Sequence, residues 1–449
     1  MALTLVLVES GVLLSAALLG SLAWGHPVRG DGAAVATLLA QVTAIGGCCL
    51  VAFYYNDFYD LRIVKSFAAF ATRLLPSFGM AFLLLAALYA TFPDVRLPDG
   101  PFVASVAVIV GLLLPVRAAS YAVMRSAPFQ ERVLILGASP LALKVIREIE
   151  AQPHVRYRVV AIADDPSPGG DTWPYPLRGP LEHLDKIIEE IHPDRIIVAM
   201  RERRGRLPVR QLLDAQRNGI VAEDGVQVYE RLSGKVAIES LTPSHLIFSP
   251  DFQKSRVELA ASRAISLAVA AVALIAFAPL MALIALAVKL DTAGPVFFVQ
   301  ARVGAHGRSF RLIKFRTMRP AVGPHSEWAR DNTARLTRVG RWLRKFRFDE
   351  LPQLINVLRG ELNLVGPRPH PVSNFEYFME HIPYYSVRAG ARPGVTGWAQ
   401  IRYGYANNLA EETEKMRYDL YYIKHLSPWL DLRILFDTVK IIVFGRGAE

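Results

Sequence analysis

Four apolar blocks fill most of the first 124 residues, at about Leu3 to Trp24, Ala33 to Tyr55, Phe67 to Phe92 and Phe102 to Met124. Each is close to the ~20 residues that a helix needs to cross a bilayer, where every backbone N–H and C=O must be satisfied within the segment. A membrane α-helical bundle is therefore expected at the start of the chain. Two blocks contain an ionisable residue, Glu9 and Arg73. Both lie toward a block's end, and both are read as snorkelling to the interface. Cys48 and Cys49, the only cysteines, are adjacent in an apolar block and suggest neither a disulfide framework nor a metal site. The first block lacks a basic start and a cleavage site, so it is read as a retained span rather than a signal peptide.

Arg62, Lys65, Arg73, Arg117, Arg125 and Arg132 flank the even-numbered block ends, whereas the odd-numbered loops hold only Arg29 and Arg96. The positive-inside bias then places both the N-terminus and Arg132 in the cytoplasm. A net charge of +11 is compatible with nucleic acid, anionic lipid or a phosphorylated substrate. The bases lie beside apolar segments and a pair of acids, with no zinc-ligand spacing and no base-stacking motif, so no nucleic-acid partner is expected.

With 449 residues the chain has room for roughly three domains. The second begins with Glu131 to Leu136, a buried strand ending at Gly137, then a helical pattern through Leu143, Ile146 and Ile149. Strand-like runs at Val159 to Ala163 and Arg195 to Met200 alternate with helical stretches, which indicates an α/β Rossmann-like domain with a parallel sheet. Its first turn has one glycine where the dinucleotide fingerprint has three, so a pyrophosphate cannot approach the backbone in the usual way. Asp164 and Asp165 end the second strand and either bind a ribose or simply cap it. The stretch from Val221 to Pro250 is expected to be irregular.

An apolar helix follows over about 263–290, with Pro279 at its middle. Lys254, Arg256 and Arg263 precede it and Lys289, Arg302 and Arg308 follow it, so both flanks are cytoplasmic in character. A re-entrant membrane helix bent at Pro279 satisfies both. Val296 to Val303 and Ser309 to Met318 read as a hairpin around Gly304–Gly307, with His306 as a turn residue. The second strand brings Arg311, Lys314 and Arg316.

The stretch Arg341–Arg368 concentrates acids, bases and turns. Pro352 is suited to a first helical turn, and a helix is expected from there to Gly360. Asp349 and Glu350 precede that helix, whose N-terminus suits an anionic ligand. Arg341, Arg344, Lys345 and Arg347 crowd in from upstream, and Arg368 is set on the turn Gly366–Pro369. Uncompensated cations on this scale call for an anion, and phosphate is the expected guest. Further on, Tyr384, Tyr385, Trp398, Tyr403, Tyr405, Tyr418, Tyr421, Tyr422 and Trp429 suit either a membrane interface or core packing. Leu426 to Phe444 sets Leu430, Leu435, Val439 and Ile442 against Asp431, Arg433, Asp437 and Lys440, as in a helix lying in the interface plane.

Four ordered motifs now stand together: Lys314-Phe315-Arg316-Thr317-Met318, Asp349-Glu350-Leu351-Pro352-Gln353-Leu354, Leu364-Val365-Gly366-Pro367-Arg368-Pro369 and Pro393-Gly394-Val395-Thr396-Gly397-Trp398. They resemble the bacterial sugar transferase family, the monotopic phosphoglycosyl transferases. The resemblance implies transfer of a hexose-1-phosphate from a UDP-sugar to undecaprenyl phosphate at the lipid bilayer of a bacterial inner membrane, with the catalytic domain facing the cytoplasm. It implies a mixed α/β monotopic catalytic domain with a re-entrant helix, often broken at a Ser-Pro pair; here the pair is Ala278-Pro279, without the hydroxyl. The module before it resembles the cryptic Rossmann-type domain of larger family members. The expected division is 1–126 for the four-helix transmembrane domain, 127–250 for the Rossmann-like domain and 251–449 for the catalytic domain.

By the same resemblance Asp349 is the nucleophile that expels UMP and carries the phosphosugar. Glu350 is the expected ligand of Mg2+, which takes hard oxygen donors, and Lys314, Arg316, Arg344 and Arg368 are the expected phosphate-binding cations. Two other classes share part of this pattern. A membrane-anchored nucleotide-sugar dehydratase or epimerase needs a second glycine-rich loop and a Tyr-x-x-x-Lys pair, and neither is present. A nonenzymatic scaffold of polysaccharide assembly would use the acid pair only as a helix cap. A homo-oligomer is left open, as is the sugar, with glucose or galactose preferred.

Overall fold

The computed structural model describes residues 2–444 apart from 24–31, 60–63, 65–66, 126–129, 153–154, 166–172, 242–251, 253, 320–334 and 405. Arg29, Arg62, Lys65 and Tyr405 thus lie outside the described residues. The chain falls into two compact units, Met1–Val228 and Tyr229–Glu449.

The first unit opens with helices α1 (Ala2–Ala23), α2 (Gly32–Tyr55), α3 (Phe67–Thr91) and α4 (Asp99–Arg125), all long and apolar enough to cross a membrane. Glu9 does not snorkel. It and Arg117 are both fully buried and form an ion pair. Arg117 Nη2 donates to Glu9 Oε2 at 3.1 Å and to the Phe58 carbonyl at 3.1 Å. Each charge neutralises the other at a depth where a lone one is costly. Arg117 is therefore spent inside the bundle and is not a basic flank. Arg73, part-exposed, reaches Asp57 at 3.3 Å, so it too has a partner.

Beyond the helices, β1 (Glu131–Leu136), β2 (Tyr157–Ala163), β3 (Leu177–Arg178), β4 (Arg195–Val198) and β5 (Val221–Asp224) form one sheet in the order β3-β2-β1-β4-β5. Every pairing is parallel. Val133 to Leu136 are all buried, the continuous apolar run of a strand covered on both faces. Helices α5 (Pro140–Ala151), α6 (Leu184–Ile191) and α7 (Val209–Arg217) complete the α/β layer. The stretch from Val221, expected to be irregular, starts with β5 and α8 (Gly225–Ser233). Val236, Ile238 and Leu241, grouped by sequence with this module, belong to the apolar core of the second unit.

In the second unit α9 (Arg256–Asp291) is a single helix of 36 residues. Ser255 and Glu258 form a capping box at its start, and it stays helical on both sides of Pro279. Val272, Ile275, Leu283 and Leu286 are 57–78% exposed on it. The expected antiparallel hairpin follows, β6 (Phe297–Val303) and β7 (Ser309–Phe315), with His306 in its turn. Next come α10 (Arg338–Lys345), α11 (Gln353–Arg359), β8 (Asn363–Val365), α12 (Val372–His381), β9 (Gly394–Thr396), α13 (Trp398–Arg402), α14 (Leu409–His425) and α15 (Pro428–Phe444).

The faces of α15 differ from the expectation. Asp431 is buried, accepting from the Tyr422 hydroxyl at 2.8 Å, and Ile434 is fully buried. Trp429, Phe436 and Val439 are instead 76%, 56% and 47% exposed. Of the other aromatics, Tyr385, Trp398 and Tyr422 are core residues.

Candidate active site

Asp349 and Glu350 lie in a short 3-10 turn, Phe348–Glu350, between α10 and α11. Arg347 enters that turn with a left-handed backbone, φ 53°. Both acids end up buried, at 7% and 6% exposure. Downstream, α11 begins after Pro352 and stops at Gly360, whose φ of 88° only glycine takes readily. The helix has only seven residues, and its Leu354 and Ile355 N–H groups already donate to Leu351 and Pro352. The helix end therefore offers an anion less than expected.

Side chains supply the positive charge. Lys314 Nζ and Arg368 Nη2 both meet Glu350 Oε1, at 2.9 and 2.7 Å. Asn356, fully buried on α11, brings Lys314 there. Its Oδ1 accepts from Ile313 N at 3.1 Å and its Nδ2 donates to the Arg311 carbonyl at 2.8 Å, locking α11 against β7. Asn356 was missed in the sequence. Its signal was a short amide on the inward face of an otherwise apolar helix.

The two acids differ in their electrostatics. Burial works against the charge on Glu350, but Arg368, Lys314 and Arg347 overcome it and hold the carboxyl well below the usual carboxylate range. Burial is the largest influence on Asp349 and pushes its carboxyl up, against Lys314 and with Glu350. The cations do not win at Asp349 as they do at its neighbour. Among the described residues none donates a hydrogen bond to the Asp349 carboxylate. One acid is locked in place and the other is left available, the separation of roles that adjacent carboxylates need.

Arg344 donates to Thr317 Oγ1 at 3.2 Å and acts on Asp349 through its charge. Arg316, expected among the phosphate-binding cations, makes its hydrogen bonds to backbone and Thr292 and none to the acid pair. Its guanidinium is spent on the Thr292 and Ala293 carbonyls at 2.7 and 2.8 Å and on Thr292 Oγ1, where it closes the C-terminal end of α9.

No group of three or more His, Cys, Asp or Glu side chains able to hold a metal occurs among the described residues. The acid pair still fits a Mg2+ whose remaining ligands come from substrate phosphates and water, because one or two carboxylates suffice for that arrangement. Beside Glu350 lies a cavity of about 120 Å³, lined mainly by apolar residues including Leu351, Leu354, Val395, Ile401, Ile441 and Ile442.

Residues 257–445 match the bacterial sugar transferase family and residues 55–221 match the CoA-binding domain family. The UDP-glucose:undecaprenyl-phosphate glucose-1-phosphate transferase of Klebsiella pneumoniae is 31% identical over 86% of this chain and 84% of its own. The chain belongs to the bacterial sugar transferase family. The undecaprenyl-phosphate glucose phosphotransferase of Komagataeibacter xylinus is 36% identical over 71% of this chain and 60% of its own. For the UDP-N-acetylgalactosamine-undecaprenyl-phosphate N-acetylgalactosaminephosphotransferase of Aeromonas hydrophila the figures are 41%, 50% and 52%. The chain thus spans about half to three-fifths of the length of these last two.

In the domain that matches the CoA-binding family, part of the first turn's N–H set is already engaged. Ala138 N donates to Asp164 Oδ2 at 2.7 Å, Pro140 has no N–H, and Ala142 N is taken by Ser139 Oγ at 3.1 Å. Gly137, at φ 103°, is needed because a Cβ would lie 2.7 Å from Met200 Cα. It serves strand packing.

Proposed function

We propose that the protein transfers a hexose-1-phosphate from a UDP-sugar to undecaprenyl phosphate, releasing UMP, and so initiates synthesis of an exopolysaccharide, capsule or O-antigen. The observation that carries this reading is the division of labour at the acid pair: Glu350 holds Lys314 and Arg368, while Asp349 beside it accepts no hydrogen bond from a described residue. A carboxylate oxygen of Asp349 attacks the phosphorus that bears the sugar. The P–O bond to the UMP phosphate breaks, and its electron pair leaves with UMP. An oxygen of the lipid phosphate then attacks the same phosphorus, the bond to Asp349 breaks, and the carboxylate is restored. Lys314, Arg344 and Arg368 balance the phosphoryl charge. Glu350, with Asp349 beside it, would hold Mg2+, which when bound supplies further charge neutralisation on the phosphates.

The apolar cavity beside Glu350 supports a prenyl acceptor. An apolar cavity of roughly 150 Å³ takes a benzene-sized group, so one of about 120 Å³ suits about one isoprene unit. The exposed apolar side chains of α9, together with the cytoplasmic character of both its flanks, support a helix that enters the inner membrane, bends at Pro279 where the ring removes a backbone hydrogen bond, and returns to the same side. Exposed Trp429, Phe436 and Val439 support α15 as an interfacial helix. Glucose is favoured as the sugar, since two of the three relatives above carry it in their names.

A panel of UDP-sugars, each incubated with undecaprenyl phosphate and the protein in nanodiscs, tests the reading. UMP release that depends on both Mg2+ and UDP-glucose or UDP-galactose is the expected result. Absence of UMP with every sugar would overturn it.

A further inference from the structure

The loop that carries Arg368 to Glu350 is held by its carbonyls, since Pro367 and Pro369 have no N–H to give. The Pro367 carbonyl accepts from Gly394 N at 3.0 Å and that of Arg368 from Arg388 Nη2 at 2.8 Å. The next two accept from Arg302 Nη1 at 3.1 Å and Val303 N at 3.0 Å, at Pro369 and His370 respectively. Four successive carbonyls are thus fixed by four donors, of which only Arg302 and Val303 are adjacent in the chain. The one that belongs to Arg368 itself is held by a side chain 4% exposed.

Arg388 also donates through Nε to Asp419 Oδ2 at 2.6 Å and through Nη1 to the Tyr385 hydroxyl at 3.2 Å. Tyr385 in turn donates to Glu412 Oε1 at 2.8 Å, and Lys415 Nζ reaches Glu412 Oε2 at 3.1 Å. Two buried cations therefore face two buried anions. Burying such a set gains little stability over an apolar core of the same shape. Its effect is to orient: a planar guanidinium bound to three acceptors has one permitted orientation, and an ammonium cannot reproduce it.

We infer that Arg388, aligned by Asp419 and Tyr385, is a positioning residue that fixes the backbone of Arg368 so that its guanidinium meets Glu350 and the substrate phosphate. The inference rests on the role given to Arg368 above. Displacement of a catalytic group by about 1 Å can cost on the order of 100-fold, and loss of one of several restraints should cost less.

The test is a double-mutant cycle on the full-length protein in nanodiscs, reading kcat and KM for the UDP-sugar and, separately, the thermal midpoint. Arg388→Lys should lower kcat/KM about 30-fold in the wild-type background but less than about threefold in Arg368→Ala, where no guanidinium remains to be misplaced. Should Arg388→Lys not fold, Asp419→Asn, which is isosteric, should show the same coupling with Arg368→Ala. Equal losses in both backgrounds would overturn the inference and leave Arg388 a stabilising residue only. An Arg368→Ala protein with unchanged kcat/KM would instead remove Arg368 from the phosphate site, a separate failure visible before the cycle is closed.

Discussion

Lys314→Met and Glu350→Gln should move the acid limb of the donor half-reaction in opposite directions. Asp349 must be ionised to attack, and Lys314 is the strongest of the cations that favour its charge, while Glu350 opposes that charge. Removing Lys314 therefore raises the Asp349 pKa, and removing the charge on Glu350 lowers it. Each substitution removes one unit charge from beside the same buried carboxyl, and the two charges have opposite sign, so the two limbs should fall on opposite sides of the wild-type limb. Lys314→Met leaves Glu350 its bond to Arg368, so the local cost should be about one charged hydrogen bond, roughly 1.5–3 kcal/mol, and the protein should still fold. The assay is the rate of the first UMP burst without lipid acceptor, followed from pH 4 to pH 8. Limbs displaced in the same direction, or not at all, would refute the electrostatic description of the pair.

Three further outcomes follow from other parts of the molecule. Lys254→Cys and Arg308→Cys, each in a background lacking Cys48 and Cys49, should both resist a membrane-impermeant reagent added outside; labelling of Arg308→Cys alone would make α9 a full crossing. Asp164→Ala should lower stability by about 1–2 kcal/mol, since it frees the Ala138 and Asp165 N–H groups, yet leave kcat within about twofold; a tenfold loss of kcat would give the module a part in catalysis. Burial pulls the His370 imidazole down to about 3, so it stays neutral in the folded state while the unfolded chain takes up a proton below its usual value of 6.5. Its contribution is present above pH 6.5 and is lost as the pH falls toward about 3, at roughly 1.4 kcal/mol per unit. Unfolding midpoints measured between pH 7.5 and pH 5 should fall faster for wild type than for His370→Asn, and equal slopes would contradict the assignment.

What could be read in advance was whatever repeats or punctuates. The long apolar runs became α1 to α4 and α9, the Gly304–Gly307 turn became the β6–β7 hairpin, and Pro352 and Gly360 bracketed α11. Partnerships between distant residues were not legible. Glu9 lies 108 positions from Arg117, and no local pattern announces that they neutralise each other. Arg316 and Lys314 sit two apart with the same charge, and only the fold decides that one closes the end of α9 while the other meets Glu350. The short strand β5 lacks the run of apolar residues that marks β1, and Asp431 on α15 reads as surface until Tyr422 is found against it. At the site, the family resemblance named Asp349, Glu350, Lys314 and Arg368, of which the fold brings Lys314 and Arg368 onto Glu350, whereas the supports Asn356 and Arg388 needed coordinates.

The central claim is that Asp349 forms a bond to the phosphosugar before the lipid acts. Wild-type protein incubated with UDP-glucose and no acceptor, then digested and weighed, should carry a hexose phosphate on the peptide containing Asp349, and Asp349→Asn should carry none. Unmodified peptide from a preparation that releases UMP once undecaprenyl phosphate is added would contradict it and assign the attack to the lipid phosphate directly.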